Sequence, residues 1–135
     1  MKHESFGIAN TLSDTLVHKE LSYQIIGLAM EVYNHLGYGF LEKVYENALM
    51  VLLKRETLFA QQQQPITVYF QGHAVGEYFA DILVNDSIIL ELKSVEKIIS
   101  VHRAQALNYL KATGKGLAII LNFGKEKLEF ERLVN

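Results

Sequence analysis

The sequence predicts an α/β layer architecture. Two segments with helical periodicity open the chain, three short apolar segments joined by turns follow, and a further helix leads back to a buried strand. The chain has 135 residues, of which 50% are hydrophobic and 21% are charged, so it can bury one core. We therefore expect a single domain over residues 13–135, preceded by a flexible lead-in of residues 1–12.

The first two predicted elements are amphipathic helices. Ser13 or Asp14 can serve as an N-cap, and the first helix runs to Gly37, a typical helix-ending residue. Its apolar residues recur at helical spacing: Leu21, Ile25, Leu28, Ala29, Val32 and Leu36. The second helix follows a tight connection at residues 37–39, and its apolar side comprises Val44, Ala48, Leu49, Val51, Leu52 and Leu53.

Three strands are predicted next. Pro65 follows the polar tract Gln61–Gln64 and suits the first residue of a strand, because proline cannot donate a hydrogen bond to a sheet. Residues 88–90 are all apolar, which is typical of a central strand covered on both faces. The predicted strands are residues 66–70, 75–84 and 88–93, with turns at 71–73 and 85–87.

The last predicted elements are a helix over residues 101–113, a buried strand over 117–121 and an edge strand over 127–133. The complete order is ααβββαββ. If the strands on either side of the last helix are parallel, their connection should be right-handed.

Composition excludes several classes of protein. The chain has no cysteine, which excludes a disulfide scaffold, thiolate zinc sites and a cysteine nucleophile. It has neither an apolar run of roughly 20 residues nor a signal sequence, so we expect a cytoplasmic protein without membrane contact.

Charge is distributed unevenly along the chain, although the net charge is only −2. Residues 60–92 carry four acidic and no basic side chains, whereas residues 93–115 carry five basic and one acidic side chain. An acidic segment that runs into a basic one is compatible with a metal site beside an anion-binding surface. The basic residues are Lys93, Lys97, Arg103, Lys111 and Lys115.

The most informative pattern is Asp81 followed ten residues later by Glu91-Leu92-Lys93. Because side chains alternate along a strand, Glu91 and Lys93 should share one face while Leu92 points into the core. A three-residue turn would place Asp81 directly opposite Glu91, with Cβ atoms about 5 Å apart. A two-residue turn would pair Asp81 with Leu90 instead and separate the acids.

Two carboxylates this close repel each other unless a cation lies between them. A hard divalent ion such as Mg²⁺ or Mn²⁺ satisfies both, and Lys93 could orient a water molecule or hold a phosphate oxygen. The alternative is an ordinary ion pair on a solvated strand face, which is common for so short a pattern. The apolar surroundings of these charges favour the metal site, because unpaired buried charges are costly.

Two further groups of residues are candidates. Glu42 and Glu46 lie one turn apart on the second helix, and for Glu46 a solvated face is the preferred interpretation. Gln105 and Tyr109 lie one turn apart on the last helix and could reach the same sheet edge, or be ordinary surface residues.

The start of the last helix carries two more candidates. His102 and Arg103 could contact phosphate or could cap and solubilise the helix start, and for Arg103 the structural role is preferred slightly.

The segment Gly39 to Tyr45, with Glu42 between them, matches the pattern GxxExxY. On this basis the chain resembles the GxxExxY protein family, a branch of the PD-(D/E)XK nuclease superfamily, from about Leu16 to the C-terminus. The further matches are Ala80-Asp81, Glu91-Leu92-Lys93, Val101-His102, Ala104-Gln105, Asn108 to Lys111 and Asn122-Phe123-Gly124.

The resemblance implies a restriction-endonuclease-like core with a mixed β-sheet flanked by helices. It implies that Asp81 and Glu91 are metal ligands, with the Leu92 carbonyl as a further ligand, and that Lys93 is the catalytic lysine. Glu42 would be the acidic residue of the first core helix, touching the metal directly or through water. Gln105 with Tyr109 is similar to the QxxxY motif of RecB-like nucleases, where these residues help to position the site and the substrate.

The sequence therefore predicts metal-dependent hydrolysis of nucleic acid, with DNA as the expected substrate. Phosphate contacts are expected from Tyr109, His102, Arg103, Lys97 and Lys111. A binding module without hydrolysis and a regulatory homo-oligomer remain alternatives. A symmetric homodimer would double the basic segment and so strengthen weak binding.

Overall fold

The computed structural model describes residues 2–3 and 12–135, and these residues form a six-stranded sheet with helices on both faces. The predicted order ααβββαββ is confirmed from residue 12 onward, and a two-residue strand precedes it. The rest of the predicted lead-in, Met1 and residues 4–11, lies outside the described residues. The elements are β1 (Lys2–His3), α1 (Leu12–Leu36), α2 (Glu42–Arg55), β2 (Ala60–Phe70), β3 (His73–Val84), β4 (Ile88–Lys93), α3 (Ser100–Thr113), β5 (Leu117–Asn122) and β6 (Glu129–Val134).

The sheet is mixed, with the spatial order β1-β6-β5-β4-β3-β2. Strands β4 and β5 pair in parallel because α3 carries the chain back across the sheet, and the other neighbours pair antiparallel. Every residue of β4 except Lys93 is buried. The predicted central position of this strand is confirmed.

Two hydrophobic cores lie on opposite faces of the sheet. Ile88, Leu90 and Leu92 belong to the core under α1 and α2, whereas Ile89 belongs to the core under α3. This alternation puts Glu91 and Lys93 on the α3 face, as the sequence predicted. Each fully buried aliphatic side chain contributes about 1.5–3 kcal/mol, so the register of β4 is strongly determined.

Strand β2 differs from its predicted form. It begins at Ala60 rather than Ile66, so the tract Gln61–Gln64 is strand and Pro65 lies inside the strand rather than at its start. Proline is tolerated there because β2 is an edge strand, which needs hydrogen-bond donors only toward β3. A long β2–β3 hairpin results.

Helix boundaries agree with the sequence within a residue or two. Helix α1 begins at Leu12, before both predicted caps, and α3 ends at Gly114 with a φ of 75°, in the left-handed region that favours glycine. Strand β6 is not a free edge along its whole length, since Lys2 and His3 pair with Val134 and Leu133. Within residues 2–3 and 12–135, every helix is too short or too polar to span a bilayer.

Candidate metal centre

The turn between β3 and β4 sets the register of the two acids. Val84 pairs with Ile88 and Ile82 pairs with Leu90, so the turn has three residues, as the metal-site interpretation requires. Asn85 and Asp86 have φ values of 51° and 54°, a left-handed conformation that these residue types tolerate well. Asp81 is the next residue along β3, just beyond the last paired position, and it contacts Glu91.

Beyond Ile82 the backbone pairing of β3 with β4 ends, and the carboxylates of Asp81 and Glu91 accept backbone N–H groups instead. The Asp81 N–H donates to Glu91 Oε2 at 3.1 Å, and the Leu92 N–H donates to Asp81 Oδ2 at 2.8 Å. The alternation of side chains is also interrupted here, because Ala80 and Ile82 belong to cores on opposite faces of the sheet. Each acid is thus held rigidly by the backbone of the neighbouring strand.

Burial makes this pair of acids electrostatically unfavourable. Glu91 is only 5% exposed, and burial together with the Asp81 charge raises the pKa of its carboxyl to about 8. Burial also raises the pKa of Asp81, and the charge of Glu46 acts in the same direction on both acids. Lys93 opposes these shifts. The site therefore favours a proton or an additional cation.

One oxygen of each acid is left for another partner. Asp81 Oδ1 has only a long contact, 3.5 Å, from the Gln63 amide, and Glu91 Oε1 has no hydrogen-bond donor among the described residues. Carboxylate oxygens are the ligands that Mg²⁺ prefers, and this ion keeps several water molecules when it binds. The donor set fits such an ion, although no group of three or more His, Asp or Glu side chains in the described chain is already arranged to hold a metal.

Lys93 is connected to helix α3 through two hydrogen bonds. Its Nζ donates to Gln105 Oε1 at 3.4 Å, and Gln105 Nε2 donates to the Tyr109 hydroxyl at 3.0 Å. Burial, with smaller effects from Glu91 and Asp81, raises the pKa of Tyr109 to about 12, so its hydroxyl keeps its proton. The structure thus brings Asp81, Glu91, Lys93, Gln105 and Tyr109 together on the α3 face.

Comparison with protein families agrees with this arrangement. A profile of the PD-(D/E)XK nuclease superfamily matches residues 19–133, which span α2, α3, most of α1 and strands β2 to β5. The chain belongs to the PD-(D/E)XK nuclease superfamily. Comparison with curated proteins gives no match. The predicted restriction-endonuclease-like α/β fold is confirmed.

Superfamily members generally use divalent metal ions and act on nucleic acid. The clustering of carboxylates and lysine at one sheet edge is compatible with that chemistry. The individual residues of α2 and α3 differ in how well they fit it.

Helix α2 presents a different acid to the site from the one predicted. Glu42 is exposed at the first residue of α2, and its charge acts on His102, where it partly opposes the lowering of the His102 pKa by burial. Glu46 is only 3% exposed, and its charge acts on both Asp81 and Glu91. The interpretation of Glu46 as a solvated residue is wrong. One turn further along α2, the side chain points at the sheet instead of at solvent.

Glu46 makes an ion pair with Lys43 at 3.1 Å and accepts hydrogen bonds from two glutamines of β2, which the sequence analysis missed. Gln62 Nε2 donates to Glu46 Oε2 at 2.7 Å, and Gln63 Nε2 donates to Glu46 Oε1 at 3.1 Å. Gln63 also has a φ of 52°, a conformation that costs free energy for a residue with a side chain. A bulge between Val68 and Tyr69 shifts the β2–β3 register by one residue and so places Gln63 opposite Asp81. Counting back from the turn along the sequence would not have found this pairing.

The other predicted phosphate contacts are more dispersed. Arg103 makes a bidentate ion pair with Glu131 of β6, at 2.6 and 2.8 Å, which supports its structural interpretation. His102 Nδ1 accepts the Ile99 N–H at 3.1 Å and so caps the start of α3. Lys97 and Lys111 are exposed.

Tyr45, the tyrosine of the GxxExxY pattern, holds the turn between α1 and α2. Its hydroxyl donates to the Gly37 carbonyl at 2.6 Å and accepts the Phe40 N–H at 3.1 Å. Its ring stacks on Phe123 with centroids 4.5 Å apart. Tyr45 is fully buried and therefore supports the site from below rather than entering it.

Asn122 and Gly124 hold the segment that follows Lys93. Asn122 is fully buried, and its amide exchanges two 3.0 Å hydrogen bonds with the backbone of Val95. A Cβ on Gly124 would lie 2.3 Å from the Val95 carbonyl oxygen, so only glycine fits there. The Asn122-Phe123-Gly124 segment thus positions the end of β4 and the catalytic lysine candidate.

Proposed function

We propose that this chain is a divalent-metal-dependent nuclease of the GxxExxY branch that hydrolyses phosphodiester bonds of DNA. The observation that carries the proposal is the pair Asp81 and Glu91 on adjoining strands. Asp81 is partly buried and Glu91 is buried, and each has one oxygen still available. The ammonium group of Lys93 lies close enough to lower the pKa of both acids. Glu46, the third acid nearby, has its own ion pair with Lys43 at 3.1 Å. The three acids are thus matched by two lysines, Lys43 and Lys93, whereas an ordinary structural ion pair would bring equal and opposite charges.

The proposed ligands are Asp81, Glu91 and the Leu92 carbonyl, with Mg²⁺ or Mn²⁺ as the ion. For the acid from helix α2 we assign Glu46 in place of Glu42, because Glu46 is buried next to both strand acids. When bound, the ion supplies Lewis-acid polarisation of the phosphate and lowers the pKa of an attacking water molecule. Gln62 and Gln63 hold the Glu46 carboxylate in place.

Lys93 would contact the scissile phosphate and stabilise the negative charge that develops during hydrolysis. Gln105 positions the lysine by accepting its hydrogen bond, and Tyr109 in turn accepts from Gln105. Such supporting residues restrict the lysine to one geometry, which lowers the entropic cost of reaching the transition state.

Binding of the phosphate backbone is assigned to the exposed Lys97 and Lys111, with His102 at the start of α3. Arg103 is left out because Glu131 occupies its guanidinium group. With a net charge of −2, a single chain offers little long-range attraction for DNA. We expect weak and salt-sensitive binding, which a homodimer would strengthen.

The proposal is tested by a cleavage panel of linear, circular and branched DNA in Mg²⁺ and in Mn²⁺. We expect cleavage by the wild type, no cleavage by Glu91→Gln, and metal binding without cleavage by Lys93→Met. Metal binding is measured separately by calorimetry. Binding of DNA by a protein that takes up no metal and cleaves none of these substrates would contradict the nuclease and support the non-catalytic alternative.

A further inference from the structure

A groove of about 700 Å³ lies between α3 and the β2–β3 hairpin. The hairpin extends beyond the rest of the sheet, because β3 pairs with β4 only at residues 82–84 but pairs with β2 along nearly its whole length. The walls carry three aromatic rings from the hairpin and the helix, and three polar side chains of α3. These residues are Tyr69, Tyr78, Tyr109, Gln105, Asn108 and Lys111.

The hairpin rings in this groove are unusually exposed for their size. Tyr69 is 67% exposed and Tyr78 is 48% exposed. The Tyr78 ring also packs against Tyr109, with centroids 5.8 Å apart and planes inclined by 47°. Clusters of large exposed apolar side chains are typical of binding surfaces, since water alone does not favour them.

The groove continues into the proposed metal centre. Gln105 lines the groove and also accepts the hydrogen bond from Lys93. Tyr109 lines it too and is bonded to Gln105. A polymer that places one phosphate at Lys93 therefore has a direct path along the groove for its neighbouring units.

The chemistry of the lining indicates what that polymer would present. Among the groove's lining residues in the described chain, Lys111 is the one that carries a charge, so phosphate attraction alone is weak here. Aromatic faces bind unpaired bases by stacking, with little dependence on the base. A volume of 700 Å³ lies in the range of cavities for small organic ligands, which fits individual unpaired nucleotides but not a base-paired duplex.

We propose that the groove binds single-stranded nucleic acid, with bases stacked on Tyr69 and Tyr78 and the backbone beside Lys111. The inference rests on the proposed nuclease function and narrows its substrate to strands with unpaired bases next to the scissile phosphate. The stacking surface lies on the hairpin, outside the superfamily's acidic cluster, and it would select strandedness rather than sequence.

The test is fluorescence anisotropy of labelled oligonucleotides in EDTA, which separates binding from cleavage. The probes are oligo(dT), oligo(rU) and a DNA duplex of equal length. They compare single-stranded DNA with single-stranded RNA, and both with paired bases. We expect single strands to bind more tightly than the duplex. Tyr69→Leu and Tyr78→Leu should each weaken single-strand binding by about 10-fold.

Tyr23→Leu is the matched control. Tyr23 is 53% exposed, but it lies on α1, which packs on the opposite face of the sheet. Its substitution should leave binding unchanged. Melting temperatures of Tyr23→Leu and Tyr69→Leu should match the wild type, because these two rings are mostly in solvent. The melting temperature of Tyr78→Leu shows whether that variant stays folded without its contact with Tyr109.

The outcomes separate this inference from the proposed function. The inference would be overturned if both hairpin substitutions left single-strand binding unchanged, which is the result expected if the groove binds a protein segment. Tighter binding of the duplex than of single strands would also overturn it. Tyrosine-dependent binding without any cleavage in Mg²⁺ would support single-strand binding by the groove and contradict the proposed nuclease function. Equal cleavage of duplex DNA by the wild type and Tyr69→Leu would overturn the inference that the groove selects single strands. It would not contradict the proposed nuclease function.

Discussion

The two halves of strand β3 have opposite characters. The inner half, residues 80–84, lies between β2 and β4, and Ala80, Ile82 and Val84 are at most 2% exposed. The outer half, residues 73–79, pairs with β2 alone, and Val75, Tyr78 and Phe79 are about half exposed or more. One strand thus supplies both a buried charged site and an open apolar surface.

This difference suits the two functions proposed for the two halves of β3. A metal ligand must be held rigidly, and Asp81, the proposed ligand, gains rigidity from the backbone of β4 and the packing of Ile82 beside it. A surface that stacks bases gains from exposure and from freedom to adapt. Asp81 lies at the boundary, where the ladder between β3 and β4 ends.

The largest expected effect comes from removing the charge at this boundary. Asp81→Asn should lower cleavage on the order of 1000-fold or more, since a neutral amide is a poor ligand for a hard cation. The melting temperature should stay equal or rise, because the amide oxygen still accepts the Leu92 N–H and a buried charge is gone. Normal cleavage by this variant would show that Asp81 is not a metal ligand.

The second prediction compares packing in the two halves. Ile82→Ala should reduce the free energy of unfolding by about 2–5 kcal/mol, because it leaves a cavity in the core under α1 and α2. Val75→Ala in the outer half, at 61% exposure, should change it by no more than about 0.5 kcal/mol. Urea denaturation measures both, and equal losses would show that the hairpin extension belongs to the folding core.

The third prediction concerns the neighbours of the inner half on α2. Glu46→Gln should lower cleavage by about 10- to 100-fold, because its charge acts on both strand acids. Glu42→Gln is the matched control, with the same change one helical turn away on an exposed residue, and cleavage should be unchanged. If Glu42→Gln lowered cleavage and Glu46→Gln did not, Glu42 would be the acid that helix α2 contributes to the site.

The last prediction is a gradual pH dependence of stability in metal-free buffer. Folding raises the pKa of Glu91 from 4.5 to about 8, so between these values the folded protein holds a proton that the unfolded chain has lost. Stability therefore falls as pH rises through this range, by up to about 1.4 kcal/mol per pH unit for one proton.

Glu91→Gln should reduce that slope and raise the melting temperature at neutral pH. The slope should not vanish, because the pKa of Asp81 is raised as well. Glu77→Gln in the outer half is the control, since this exposed carboxylate stays in water and the slope should be unaffected. Thermal melts across the range measure all three proteins, and a flat profile for the wild type would contradict the burial of the Glu91 charge.

Much of the site could be predicted because it depends on counting along strands. The predicted three-residue turn is confirmed, and it brings the backbone of Asp81 to the Glu91 carboxylate. Alternation along β4 predicted that Glu91 and Lys93 share one face, and the structure agrees. The helical spacing of Gln105 and Tyr109 indicated that both could reach the same part of the sheet, and Gln105 contacts Lys93 there and Tyr109 beside it. These relationships are local, and chain geometry alone determines them.

The errors concern contacts between elements distant in sequence. Glu42 and Glu46 have the same chemistry on the same helix, and only the rotation of α2 on the sheet decides which one is buried. The tract Gln61–Gln64 lacks the apolar pattern of a strand, yet it continues the hairpin because β3 provides a partner and Glu46 binds its amides. For Arg103 the sequence left a phosphate contact and a structural role open, and the ion pair with Glu131 of β6 supports the structural role.

The sequence by itself determined the order of elements through periodicity, and its motifs carried the resemblance to the superfamily. Local spacing also indicated the two acids and the lysine proposed for the centre. Only the tertiary structure decided which helix acid faces the strands, how strongly burial raises the pKa of Glu91, and that a groove of exposed tyrosines leads to the site. Burial and electrostatics depend on what packs against a residue from elsewhere in the chain, and no local pattern contains that information.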